Sequence, residues 1–343
     1  MSQNLIVGNV CAAPGETKWG PATSVELRDG SIVNLPVILV NGKADGPTVV
    51  LNGATHPVEL AGIGVTQIVT RKRLDPLRLS GRVVAFPVTN PFGYQFGEYI
   101  SPHDSLNMMV AYPGSKDGSV TSRFANFIWE HAAKNADLVI DLHENVKPAL
   151  QFILLGKSDD SIVESKALSL AKAFGLTIAR PGKEELSLIG MRPGDLGYYQ
   201  LCMANGIPSF MPELESSTDI EFNEQYNAVR VGVRGVMNCL KKLGMISGNI
   251  EPQSDTKVLQ GSFAFYQTIP ANRGGIVNRL AEIGVKIPKG APIANVTNSY
   301  GEVIETLTMP VDGCLFGWNL GAPPYYNWGV HSGDGVAYVY VEE

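Results

Sequence analysis

The residues of this chain best suited to chemistry are His56-Pro-Val-Glu59 and, far downstream, His143. A His and a Glu three residues apart, joined by a distant His, offer two imidazole nitrogens and a carboxylate to one ion. Three protein ligands leave one position of a tetrahedral zinc open, which separates a catalytic zinc from a structural one. Zinc held this way keeps residual positive charge, so its bound water becomes acidic near neutral pH. Asp141 lies two residues before His143, on the same face of an extended chain. It is placed to orient a ligand histidine, and it reads equally well as a satisfied buried carboxylate. His143-Glu144-Asn-Val-Lys147 is not the HExxH helix signature, because Lys holds the fifth position.

Hydrolysis also needs a base that takes a proton from water and returns it to the leaving nitrogen. Gly206-Ile-Pro-Ser-Phe-Met-Pro-Glu213-Leu-Glu215 reads as a buried strand with two acids at its carboxyl end. Glu213 and Glu215 face the same side, so position alone does not choose between them. The HxxE spacing is weak by itself, since a solvated histidine and glutamate at a helix start look the same. Its conjunction with a strand-terminal Asp-x-His is what favours zinc.

The surrounding pattern supplies elements that can position these groups. Apolar runs at 47–52 and 137–142 read as buried parallel strands ending where the histidines stand. Further strands are expected at 82–89, 151–155, 176–179 and 208–215. Helices are expected at 58–73, 120–134, 161–174, 195–205 and 223–243. This alternation predicts an α/β fold, a doubly wound and mostly parallel sheet with helices on both faces. Ligands in such sheets bind at the carboxyl ends of the strands. Residues 1–45 read as short strands and turns, including 23–27 and 32–40.

A polar linker at 247–255 separates two expected units, a catalytic domain at 1–246 and a small all-β sandwich at 257–343. The second unit carries a weak repeat. Gly290-Ala-Pro-Ile-Ala-Asn-Val296 matches Gly333-Asp-Gly-Val-Ala-Tyr-Val339, with Gly275-Ile-Val and Gly313-Cys-Leu as candidate opening strands. It resembles the biotinyl/lipoyl-type sandwich, yet the corresponding hairpin, Met309-Pro-Val-Asp-Gly313, has no carrier lysine. A structural or oligomerising module is the expectation.

The 343 residues have 44% hydrophobic and 17% charged content, which suits a globular chain. A net charge of −6 offers no broad basic surface for nucleic acid. No apolar stretch approaches the ~20 residues of a membrane span, and the N-terminus does not read as a signal peptide. Cys11, Cys202, Cys239 and Cys314 are scattered and read as buried apolar residues in a reducing cytoplasm.

The motifs together resemble the succinylglutamate desuccinylase/aspartoacylase branch of the zinc carboxypeptidase superfamily, over residues 45–243. The family elements GxHxxE, NPxG, DLH and GxPxxTxE correspond, the first and last of them in part, to Gly53-Ala-Thr-His56-Pro-Val-Glu59, Asn90-Pro-Phe-Gly93, Asp141-Leu-His143 and Gly206-Ile-Pro-Ser-Phe-Met-Pro-Glu213. The resemblance implies one zinc ion on His56, Glu59 and His143, and it selects Glu213 as the base. It also exposes departures. Where the family has an arginine after NPxG, this chain has Tyr99, and where it has an Asn-Arg pair, this chain has Met109-Val110. Those family groups polarise the scissile carbonyl and clamp a substrate carboxylate, and neither Met nor Val offers an arginine's bidentate bonds.

A zinc-dependent amidohydrolase is therefore expected, acting on a small N-acyl or amide substrate less acidic than acylaspartate. Tyr99 and Arg192 are the foremost candidates to replace the missing donors, with Asn90 and His103 behind them. A carboxypeptidase-like exopeptidase and a non-catalytic binding protein on the same fold are the alternatives. A small molecule is the expected partner, with neither nucleic acid nor membrane, in a cytoplasmic homo-oligomer.

Overall fold

Val49 and Leu51 bury their side chains against one layer of helices and Val50 against another, as a strand covered on both faces requires. The computed structural model describes residues 3–145, 149–182, 195–215, 224–318 and 329–343. The chain opens with the hairpin β1 (Leu5–Val7) and β2 (Val10–Ala12), then β3 (Glu16–Glu26) and β4 (Ile32–Asn41). The alternating region follows as β5 (Ala44–Asn52), α1 (Ala61–Ile68), β6 (Ser80–Phe86), α2 (Pro91–Phe96), α3 (Val120–His131), β7 (Leu138–Asp141), β8 (His143–Asn145) and β9 (Phe152–Leu154). It continues with α4 (Ser161–Phe174), β10 (Thr177–Arg180), α5 (Tyr198–Ala204), β11 (Ser209–Glu215) and α6 (Asn227–Lys242).

The fold is mixed α/β around one long sheet. Parallel pairs β6·β5, β5·β7, β7·β11 and β9·β10 form its centre. The departure from a purely parallel centre is the antiparallel β9·β11 pair, where Met211 faces Leu154. α1, α4 and α6 cover one face, and α3 and α5 the other. α6 buries Ala228, Val229, Val231, Gly232, Val236, Cys239 and Leu240 at helical spacing, and its last-turn Lys241 and Lys242 complement the helix dipole. Asp160 caps α4 by accepting from Ile162 N and Val163 N, and Gly175 at φ 96° ends it.

Every element assigned from 262 onward is a strand: β12 (Ser262–Pro270), β13 (Gly275–Arg279), β14 (Lys286–Ile287), β15 (Pro292–Thr297), β16 (Val303–Thr308), β17 (Gly313–Trp318), β18 (Gly329–Val330) and β19 (Gly335–Glu342). The two repeat segments fall on β15 and β19. Each pairs antiparallel with its own opening strand, β13 and β17 respectively. The resulting layers are not detached from the rest. β12 pairs in parallel with β10, so the central sheet runs on into these strands.

Two expectations need correction. His143 does not follow the end of its strand directly. β7 stops at Asp141, Leu142 turns to donate to Asn52 O, and His143 opens the separate strand β8. Among the cysteines, Cys11 is exposed, while Cys202, Cys239 and Cys314 are buried.

Candidate metal centre

The turn between β5 and α1 carries His56 and Glu59, and β8 brings His143 to them. Close approach there depends on glycine: a Cβ on Gly53 would lie 2.7 Å from Gly62 C, so α1 starts directly against the strand end. Ala54 accepts a left-handed backbone, φ 49°, to make the turn. That conformation costs an L-residue roughly 1–2 kcal/mol. It is held by Thr89 N donating to Gly53 O at 3.0 Å and Asn90 N to Ala54 O at 3.4 Å.

Nδ1 of His56 lies 2.8 Å from Glu59 Oε1, and Nδ1 of His143 lies 2.9 Å from Glu59 Oε2. The three donors are within 4.8 Å of one another. Adjacent ligands of a tetrahedral zinc with bonds of ~2.1 Å stand ~3.4 Å apart, close to this spacing. The opposite ring nitrogens define the tautomers. His143 Nε2 faces Asp141 Oδ2 at 3.1 Å, and an ionised carboxylate only accepts. His56 Nε2 faces Asn107 Oδ1 at 3.2 Å, and that atom also accepts from Met109 N at 2.9 Å, which marks it as the oxygen. Both Nε2 atoms therefore donate, and each Nδ1, directed toward Glu59, would offer its lone pair to a metal ion that takes the place of a proton there. The donor set and its supports fit a zinc ion.

Charge is concentrated here. Burial alone raises the Glu59 carboxyl, but His56 and His143 outweigh it and hold the group at about 2. Burial favours neutral His143, yet Asp141 and then Glu59 raise its pKa well above the ordinary imidazole value. Asp141 is wholly buried and takes a second bond, from Thr55 Oγ1 at 2.8 Å. The Glu144 backbone N–H donates to Glu59 Oε2 at 3.1 Å, and its carboxylate accepts from Ala61 N at the start of α1.

The remaining candidates separate clearly. Tyr99 reaches the centre: its ring stacks on His56 with centroids 3.9 Å apart and planes at 21°. Glu213 is the register partner of His143 across the parallel β11·β8 pair, while Glu215 is level with Asn145. Pro212 occupies the gap where β11 leaves β7 for β8, a place with no ladder bond to lose on that side. Asn90 spends its side-chain oxygen capping α2 through Gly93 N. His103 is exposed between Phe92 and Phe96, with ring centroids at 5.3 and 5.6 Å. Met109 is buried in an apolar cluster that includes Phe152, Met211 and Phe316. Arg192 lies outside the described residues. Thr55, Asn107 and Glu144 were not singled out from sequence. Adjacency to the ligands was the available signal for Thr55 and Glu144, and Asn107 had none.

A family model for the succinylglutamate desuccinylase/aspartoacylase catalytic domain matches residues 45–184. The chain is 33% identical over 162 residues to the N-alpha-acetyl-L-2,4-diaminobutyric acid deacetylase of Halomonas elongata. That match covers 46% of this chain and 46% of the relative, about half the relative's length. Among solved structures, the succinylglutamate desuccinylase/aspartoacylase of Rhodobacter sphaeroides superposes with a TM-score of 0.78 at 23% identity, covering 95% of this chain and 96% of that one. The product-bound ectoine utilization protein EutE (DoeB) of Ruegeria pomeroyi gives a TM-score of 0.77 at 20% identity, covering 95% of each chain. These two likenesses speak to the fold. Over residues 45–184, the chain is therefore similar to the catalytic domain of the succinylglutamate desuccinylase/aspartoacylase family.

Proposed function

We propose that this protein is a zinc-dependent amidohydrolase that removes the acyl group from a small N-acyl compound. The observation that carries the reading is the convergence of His56 Nδ1, the Glu59 carboxylate and His143 Nδ1. Those three residues would hold one zinc ion per chain. When bound, zinc supplies Lewis acidity to the scissile carbonyl and to the attacking water. Glu213 takes a proton from that water and returns it to the leaving nitrogen as the C–O bond forms and the C–N bond breaks. Its level with His143 supports this role, since Glu215 is two residues further along the strand, about 6.6 Å. Tyr99, stacked on His56, offers a phenol to the developing oxyanion. Arg192 is the second proposed donor, from the segment outside the described residues.

The substrate is proposed to be less acidic than acylaspartate. By the motif resemblance, Tyr99 and Met109-Val110 stand where the family has an arginine and an Asn-Arg pair, and none of the three is cationic. The name of the Halomonas relative, a deacetylase, supports amide cleavage. We further propose a catalytic unit at 1–246, a β module at 257–343 without a carrier lysine, and a cytoplasmic homo-oligomer. Among the described residues no helix is long and apolar enough to cross a membrane.

The test combines metal analysis with a panel of neutral and acidic N-acyl compounds. One zinc per chain with turnover of neutral N-acyl amides supports the reading. Turnover confined to acidic acyl amino acids contradicts the altered clamp, and absence of metal and turnover contradicts the hydrolase. Light scattering checks the oligomer.

A further inference from the structure

Behind the metal-facing surface, Thr55, Thr89 and Asp141 are all buried, and their hydroxyls and carboxylate form one chain of hydrogen bonds. Thr55 Oγ1 donates to Asp141 Oδ1 at 2.8 Å. The Thr89 hydroxyl lies 3.2 Å from both the Thr55 hydroxyl oxygen and Gly53 O, two acceptors for its one proton. Asp141 Oδ2 meanwhile receives His143 Nε2. Thr55 is the neighbour of His56 in the chain, so its bond to Asp141 ties the loop of one histidine to the orienting carboxylate of the other. It adds a buried side-chain tie between these two arms, 86 positions apart at Thr55 and Asp141, which otherwise meet through Glu59, through the edge contact of the two imidazole rings and through the β5·β7 pairing behind them.

The backbone points the same way. Ala54 adopts its left-handed conformation immediately before Thr55. A turn that an L-residue resists is kept where it aims the Thr55 hydroxyl at Asp141 and the next side chain, His56, at the centre. A buried hydroxyl delivered to a carboxylate at this distance is a specified contact, because each group would be costly to bury alone.

We propose that Thr55, supported by Thr89, is a positioning residue that braces the two histidine ligands into one unit and so sets the protein's affinity for zinc. The inference rests on the zinc reading given above. Its consequence falls on metal binding, since Thr55 is buried behind the ligands. Supports of this kind change metal affinity about 10–100-fold when removed.

The experiment is zinc competition with a chelator on the full chain, comparing wild type with Thr55→Val, Thr55→Ala, Thr55→Ser and Thr89→Val. Thermal unfolding of each zinc-free variant runs alongside. Expected are a loss of affinity of about 10–100-fold for Thr55→Val and Thr55→Ala, near wild-type affinity for Thr55→Ser, and a smaller loss for Thr89→Val. Thr55→Ala keeps the test open should the valine variant not fold. Wild-type affinity in a folded Thr55→Val or Thr55→Ala overturns the proposal. So does a serine variant as weak as the alanine one, which would make the methyl group rather than the hydroxyl responsible. No substrate enters these measurements, so either result leaves the deacylase reading standing. A wild type that binds no zinc would overturn both.

Discussion

At the scale of single residues, the proposed zinc centre would set a proton and a metal ion in contest for the same nitrogen. Burial opposes charge on His143, but Asp141 and Glu59 favour its protonated form and raise its pKa well above the usual value. If His143 is a ligand as proposed, zinc would have to displace its proton below that raised value, and apparent affinity should fall about tenfold per pH unit for each proton displaced. Chelator competition across neutral to mildly acidic pH checks this, and a flat profile contradicts it. Glu213 gives the second prediction. Glu213→Gln keeps the shape and removes the proposed base, so it should lower kcat roughly 10²–10⁴-fold with zinc content unchanged. Metal loss in that variant would reassign Glu213 from base to ligand support.

At the scale of elements, the loop between α2 and α3 does most to complete the site. It carries Tyr99 onto the face of His56 and Asn107 onto its edge. Its anchor is Asp104, whose carboxylate accepts from Thr121 N and Thr121 Oγ1, both at 2.9 Å, and so caps α3 from a distance. Partial burial raises that carboxyl, but hydrogen bonds from Ser119 and Thr121 outweigh it and hold its pKa below the ordinary value. A depressed carboxyl stabilises the fold above its unfolded pKa, ~3.9, and the stabilisation fades as pH falls through the lower folded value. Asp104→Ala should therefore cost about 1 kcal/mol near neutral pH, with the difference from wild type shrinking in acid. Urea unfolding at several pH values measures this. A difference that grows in acid would contradict the assignment.

This loop is also where sequence reading ran short. Periodicity exposes strands such as β5 and helices such as α6, because burial on both faces or on one stripe leaves a repeating pattern. His56, Glu59 and His143, which the fold brings together, were legible because a shared metal ion would restrict residue type and spacing. Asn107 had no such signature, since its partner is 51 positions away and the contact exists only after folding. Glu213 and Glu215 were indistinguishable by alternation. The register of β11 against β8, fixed by pairing, is what separates them.

At the scale of the whole molecule, the C-terminal strands extend the sheet that carries the centre. β12 lies along β10, Leu150 N donates to Phe316 O at 2.7 Å, and Ala149 bridges to Gly317. A Cβ on Gly317 would sit 3.2 Å from the Ala149 Cβ and 3.4 Å from the Tyr338 ring. Gly317→Val is accordingly expected to destabilise the protein by about 1–3 kcal/mol through overpacking. A variant as stable as wild type in urea would show that this junction is loose. The polar linker at 247–255 marks a change of composition in the sequence. The parallel pairing across it was not readable, because strand partners chosen at long range leave no local trace.

The central claim is that a zinc centre on His56, Glu59 and His143 cleaves an amide with Glu213 moving the proton. Its most direct test is the initial rate of acid release from a neutral N-acyl amine by zinc-loaded wild type against Glu213→Gln, at matched zinc content. The account predicts turnover by wild type and a loss of roughly 10²-fold or more in the variant. Equal rates in the two proteins, or no turnover by a wild type carrying one zinc per chain, would contradict it.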